Sequence, residues 1–133
     1  VTEIPADGVK TPDPDEPSLE ALVGRWLTIP DVAERLALPL SAVRRLIDDR
    51  ELLAWRVGER RILSVPELFL HEAVMRHLPG TFTVLADGGM GDEELLRWLF
   101  TPDSTLPAGD CPVEALAAGF KTEVRRRAME TAW

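Results

Sequence analysis

Apolar residues recur at helical spacing from Leu19 onward, and not before it. Residues 1–17, VTEIPADGVKTPDPDEP, hold four prolines and five acids without an apolar stripe. A segment of that kind buries too little surface to offset its ordering entropy, which predicts a disordered acidic tail. Leu19, Leu22 and Val23 then stand at i, i+3 and i+4, the mark of a short amphipathic helix. WLTIPDVAERLAL carries a helix start: Thr28 as N-cap, Pro30 in the first turn, and Asp31 three residues after the cap, as in a capping box. Leu27 and Val32 flank the cap as a hydrophobic staple, and Val32, Ala33 and Leu36 form the buried stripe of a helix ending near Ala37. A turn at Leu38-Pro39-Leu40 leads to a second helix, Ser41 to Arg50. There Val43, Leu46 and Ile47 share one face, while Ser41, Arg44, Arg45 and Asp48 lie across the other.

After Arg50 the pattern changes. Two short apolar-rich runs, Leu52–Val57 and Arg61–Val65, flank Gly58-Glu59-Arg60 and predict a β-hairpin with Arg56, Arg60 and Arg61 at its tip. Two short helices joined by a tight turn make a helix-turn-helix, whose second helix enters the major groove, and a hairpin after it is a wing. From Pro66 the pattern is helical with breaks. One helix runs from Pro66 to about His77 and stops at Pro79-Gly80. A short one through Phe82, Val84 and Leu85 ends at Gly88-Gly89. Asp92 caps a stronger helix, apolar on more than one face through Leu95, Leu96, Trp98, Leu99 and Phe100, as suits a central core position. Pro112 starts another that ends at Gly119. The last begins at Lys121 and carries Arg125, Arg126 and Arg127 toward the negative end of its dipole. The fold class is mainly α with a small β-hairpin wing. Residues 1–17 are the tail, 18–66 a winged helix-turn-helix and 67–133 a helical C-terminal domain.

Charge sharpens the reading. The 133 residues carry a formal net charge of −8, unevenly placed. Residues 1–24 sum to −5, residues 25–61 to +2 and residues 62–133 to −5. Only the middle segment favours a polyanion. Guanidinium forks suit phosphate oxygens and guanine edges, so Ser41, Arg44, Arg45, Arg56, Arg60 and Arg61 are the candidate DNA-binding residues. The bland alternative is that Arg44 and Arg45 pair with Asp48 and Asp49 one turn on, at about 0.3–0.5 kcal/mol each, and that the hairpin arginines are merely solvated.

Other chemistries find no support. One cysteine, Cys111, cannot form an internal disulfide, and with His71 and His77 it makes no zinc-ligand set. Gly88-Gly89-Met90-Gly91 is not followed by the Lys-Ser/Thr of a phosphate loop. No Ser/His/Asp set or assisted carboxylate pair emerges, so a non-enzyme without cofactor or metal is expected. No run approaches a membrane span and no signal peptide is evident, which predicts a cytoplasmic, nucleoid-associated protein.

LTIPDVAERLALPLSAVRRLIDDRELLAWRVGERRILSVPELF resembles the excisionase and MerR-type winged helix-turn-helix. It shares the apolar-Pro-x-Val-Ala-x-x-Leu first helix, the Val-Arg-Arg-Leu-Ile second helix and the Val-Gly-x-Arg-Arg hairpin. Together with DPDEP, DGGMGDEELLRWLFTPD and PVEALAAGFKTEVRRRAMETAW, the chain from Asp13 onward resembles an actinobacterial family of small DNA-binding proteins. The best-known mycobacterial member of that family is a substrate of a membrane Ser/Thr protein kinase. The resemblance implies DNA binding weakened by phosphorylation of an N-terminal threonine. Thr2 and Thr11 are the tail's threonines, and Thr11 is preferred because added charge beside DPDEP would repel DNA further. The C-terminal part is also similar to the toxin-binding domain of some antitoxins, through Trp98-Leu99, Pro102, Leu106, Gly109, Pro112 and Leu116.

The expected function is sequence-selective binding of double-stranded DNA by a transcriptional regulator, with a Ser/Thr kinase as a second partner. One wing module buries little DNA, so a homodimer or a further contact is also expected. The alternative is a protein-interaction module, antitoxin-like or kinase-adaptor-like, working through the helical C-terminal domain.

Overall fold

The computed structural model describes residues 18–106 and 111–132. The acidic tail, with Thr2 and Thr11, and Gly109 of the antitoxin-like pattern lie outside them. Helix α1 (Leu19–Val23) starts at Ser18, whose hydroxyl accepts from Ala21 N at 3.1 Å. Strand β1 (Trp26–Thr28) runs directly into α2 (Ile29–Leu36), with Thr28 as N-cap accepting from Asp31 N. The reciprocal half of the expected capping box does not form among the described residues. The Asp31 side chain is one methylene shorter than the usual Glu, and Thr28 is already placed in the sheet, opposite Ser64.

Ala37, Leu38 and Pro39 make the turn to α3 (Leu40–Asp48), one residue earlier than expected. Ala37 caps α2 in the left-handed conformation, φ 56°, letting the Leu38 amide reach the Ala33 carbonyl at 2.9 Å. The wing is narrower than the apolar runs suggested. Its strands are β2 (Trp55–Val57) and β3 (Ile62–Pro66). Leu52 and Leu53 precede β2 as a buried turn that plugs the core instead of pairing. The antiparallel sheet has the order β1-β3-β2, so β3 is central and β1 is a strand the sequence pattern did not disclose.

The C-terminal half departs from expectation at Pro79-Gly80. After a 3-10 turn (Glu67–Leu70), α4 (Glu72–Asp87) runs unbroken through both residues. Val74, Leu78, Phe82 and Leu85 keep one buried face across the proline, and the Thr81 and Thr83 hydroxyls bond to the His77 and Pro79 carbonyls. Packing of that face outweighs the single helical bond that proline removes. Helix α5 (Asp92–Phe100) is capped one residue earlier than expected. Gly91 is the N-cap, its amide donating to Glu94 Oε1 at 3.1 Å, and Asp92 lies inside the first turn. Pro112 and Gly119 bound α6 (Pro112–Ala117) as expected, Gly119 at φ 98°. In α7 (Lys121–Ala132) the three arginines sit mid-helix, not in the last turn, so the expected dipole match fails. Arg127 instead ties the loop before α6 to α7, donating to Asp103 Oδ2 at 3.0 Å and to the Thr105 hydroxyl and carbonyl.

The hydrophobic core is continuous. Val32, Val43, Leu52, Val65 and Phe69 of the winged half join Leu78, Leu85, Leu95, Leu99 and Leu116 of the helical half. Phe69 is the pivot, its ring 6.1 Å from Phe82 and 5.7 Å from Phe100. None of the described helices is long and apolar enough to cross a membrane.

Candidate nucleic-acid interface

Burial of Val43, with Leu46 and Ile47 half-buried beside it, fixes the rotation of α3. Ser41, Arg44 and Arg45 are therefore exposed. Ser41 and Arg45 share a groove of about 380 Å³ with Leu38 and Asp49, near the pole opposite Val43; Arg44 stands on the other flank. The expected alternative pairs do not form. Among the described residues, neither Arg44 nor Arg45 has a carboxylate partner. Pro39 supplies no side-chain cap to α3; its carbonyl accepts from the Ala42 and Val43 amides at 3.0 and 3.2 Å, which leaves the Leu40 and Ser41 amides for water or a ligand at the positive end of the helix dipole.

The wing tip is built by its backbone. Gly58 (φ 77°) and Arg61 (φ 54°) take left-handed conformations, and the Arg61 amide closes the loop on the Gly58 carbonyl at 3.1 Å. Arg56 Nη1 donates to the Arg61 carbonyl at 3.2 Å, so this guanidinium is partly spent on holding the tip. Arg60 and Arg61 project freely, both exposed and without an ion-pair partner among the described residues. From α1, Glu20 Oε2 accepts from the Gly58 amide at 3.2 Å, which anchors the tip to the helix where the described chain begins. Nothing in the sequence pattern singled out Glu20, because its partner is a backbone group 38 residues away.

The other arginines of the winged half are engaged. Arg25 and Arg35 both bond Glu67, at 3.3 and 2.7 Å, and Arg50 bonds Asp92 at 2.7 Å. The Arg35 bond first, then that of Arg25, holds the Glu67 carboxyl below the usual glutamate range. These three residues help to wall a cleft of about 570 Å³, where one carboxylate is shared by two guanidinium groups. Sequence reasoning also missed the apolar element of the exposed face. Leu38, Leu40 and Ile62 are 39%, 45% and 44% exposed, on the turn, at the start of α3 and on the wing.

Two family models match the chain. Residues 13–70 match the winged helix-turn-helix domain of the DNA-binding protein Rv2175c, and residues 75–132 match the Rv2175c C-terminal domain of unknown function. The DNA-binding protein Rv2175c of Mycobacterium tuberculosis (strain ATCC 25618 / H37Rv) is 37% identical over 145 residues, covering all of this chain and 92% of the relative. The NMR structure of Rv2175c superposes with a TM-score of 0.68 at 36% identity, again over the whole chain and 92% of the other. A winged helix-turn-helix joined to a helical C-terminal domain, matched over both parts in sequence and in structure, places this chain in the Rv2175c family.

Proposed function

We propose that this chain binds double-stranded DNA sequence-selectively through α3 and the wing, and acts as a transcriptional regulator at the nucleoid. One observation carries the reading. Among the described residues, Arg44, Arg45, Arg60 and Arg61 have no carboxylate partner, whereas Arg25, Arg35, Arg50, Arg76, Arg97, Arg126 and Arg127 each have one. Leaving exposed guanidinium groups unpaired amid a net charge of −8 makes sense where a polyanion supplies the missing charge.

The roles divide by position. Arg45, nearest the outward pole of α3, reads base edges. Arg44 on the flank, the Ser41 hydroxyl and the Leu40 and Ser41 amides at the start of α3 take phosphates. Arg60 and Arg61 hold the backbone beside the groove, with Arg56 keeping the tip in shape. Leu38, Leu40 and Ile62 offer apolar contact to thymine methyl groups and sugars. Phosphorylation of Thr11, or of Thr2, by a Ser/Thr kinase would add about −2 of charge to an already acidic segment and lower affinity for DNA.

The test is binding-site selection on the wild type, Arg45→Ala and Arg44→Ala. Arg45→Ala costs about 1–3 kcal/mol on the selected site and flattens the preference at one or two positions. Arg44→Ala lowers affinity on every site and keeps the ranking. Both variants retaining wild-type preference and affinity would transfer the function to the C-terminal half, as a protein-interaction module.

A further inference from the structure

Among the described residues, the arginines lacking a carboxylate partner fall in two places. Five are on α3 and the wing; the sixth, Arg125, stands apart on α7. Lys121, one turn earlier on α7, is likewise unpaired and exposed. Their side chains line a cleft of about 260 Å³ with Thr122 and with His77 of α4. Two acids on the same helices are engaged elsewhere: Glu72 bonds Arg76 at 3.2 Å and Glu123 bonds Arg126 at 3.4 Å. Gly80 makes room for the guanidinium, since a Cβ there would stand 2.5 Å from Arg125 Nη2. The cleft thus concentrates positive charge in a region, residues 62–133, whose net charge is −5.

We propose that Lys121, Thr122, Arg125 and His77 form a second anion site, whose ligand is a phosphate group. The donor set fits a tetrahedral oxyanion: an ammonium, a guanidinium fork, a hydroxyl and an imidazole around one small cleft. The site opens at the first turn of α7, where the helix dipole adds partial positive charge. Without a ligand, the imidazole of His77 is held below the usual histidine range, first by burial and then by Lys121, Arg76 and Arg125. A bound phosphate offsets that repulsion and its oxygen accepts a hydrogen bond from an imidazole N–H, so it favours the imidazolium form. The same chemistry is offered by a soluble phosphate group and by a backbone phosphate of DNA.

The test uses inorganic phosphate on the full chain, with chloride holding ionic strength constant. The readout is the His77 imidazole resonance, assigned by His77→Gln. The expected result is a saturable shift and a raised His77 pKa, with Lys121→Gln/Arg125→Gln weakening phosphate binding by roughly tenfold or more. Both side chains are exposed, and Lys121→Gln alone gives a milder second variant. A second arm measures the salt dependence of DNA binding by the double variant. A log–log slope reduced by about 0.9 per contact assigns the site to backbone phosphate; an unchanged slope, with phosphate saturation intact in the wild type, assigns it to a soluble phosphate group. His77 showing no saturable response beyond that to chloride, or the double variant binding phosphate as the wild type does, overturns the proposal. The phosphate arm involves no DNA, so it stands or falls independently of the α3–wing reading.

Discussion

Removing Arg60 and Arg61 together tests whether the wing touches DNA, and the structure makes the experiment clean. Both side chains are exposed and neither has a carboxylate partner among the described residues, so Arg60→Ala/Arg61→Ala deletes charge without stripping a fold contact. Melting temperature should stay near the wild-type value. Each lost phosphate contact removes about 0.9 from the log–log salt slope, so the pair removes about 1.8. Over a fourfold rise in salt that slope corresponds to about a twelvefold share of the wild type's loss of affinity. Fluorescence anisotropy on a selected duplex and on random DNA, at several salt concentrations, reads the slope directly. The loss should be the same on both DNAs, because phosphate contacts position without specifying. Arg61→Gly separates charge from conformation. Arg61 sits at φ 54°, a region that costs an L-residue about 1–2 kcal/mol, so this variant loses one contact while gaining stability. A double variant that is folded and keeps the wild-type slope would falsify the wing's place in the interface.

Three further outcomes follow from contacts the fold creates. Glu20→Gln keeps an acceptor for the Gly58 amide and removes a negative charge beside the wing, so DNA affinity should rise at low salt and the gain should fade at high salt; a weaker complex would show that the carboxylate itself is needed. The depressed pKa of Glu67 means its ion pairs stabilise the fold above the ordinary glutamate value. The melting-temperature gap between wild type and Glu67→Gln should therefore be present at neutral pH and close as pH falls below 4.5; a pH-independent gap would refute the assignment. Gly88→Ala brings its Cβ within 2.6 Å of Ala132 Cβ and 2.8 Å of its Cα, costing about 1–3 kcal/mol or fraying the end of α7. Gly80→Ala meets only the movable Arg125 guanidinium and should be neutral or stabilising by up to ~1 kcal/mol; equal losses at both positions would contradict this contrast.

The helix-turn-helix was legible because its signals are local. Thr28 caps α2, and the apolar triplets of both helices fall on one face whatever surrounds them. Strand β1 was not legible: three residues carry no period, and Trp26–Thr28 is extended only because β3 pairs with it nearly forty residues later. Pro79-Gly80 misled for the opposite reason. Local punctuation predicted a stop, but Val74, Leu78, Phe82 and Leu85 continue one stripe across it, a signal present in the sequence and outweighed by the proline rule. The candidate arginines could be listed from position alone. Which were unpaired could not, because Glu67 neutralises residues 32 and 42 positions away and Asp92 meets Arg50 across 42.

Those long-range pairs also say what the helical half contributes to the α3–wing surface. Arg50 ends α3 in a left-handed conformation, φ 64°, and its side chain holds Asp92 at the start of α5. Within the winged half, Glu67 just beyond β3 clamps Arg25 before β1 and Arg35 on α2. The Phe69 ring packs between Phe82 of α4 and Phe100 of α5. Helix α3 and the wing are thus braced by residues of the C-terminal half through one continuous core. On this argument the helical half is part of the positioning of the interface. Separating the halves should expose Phe69 and unseat α3.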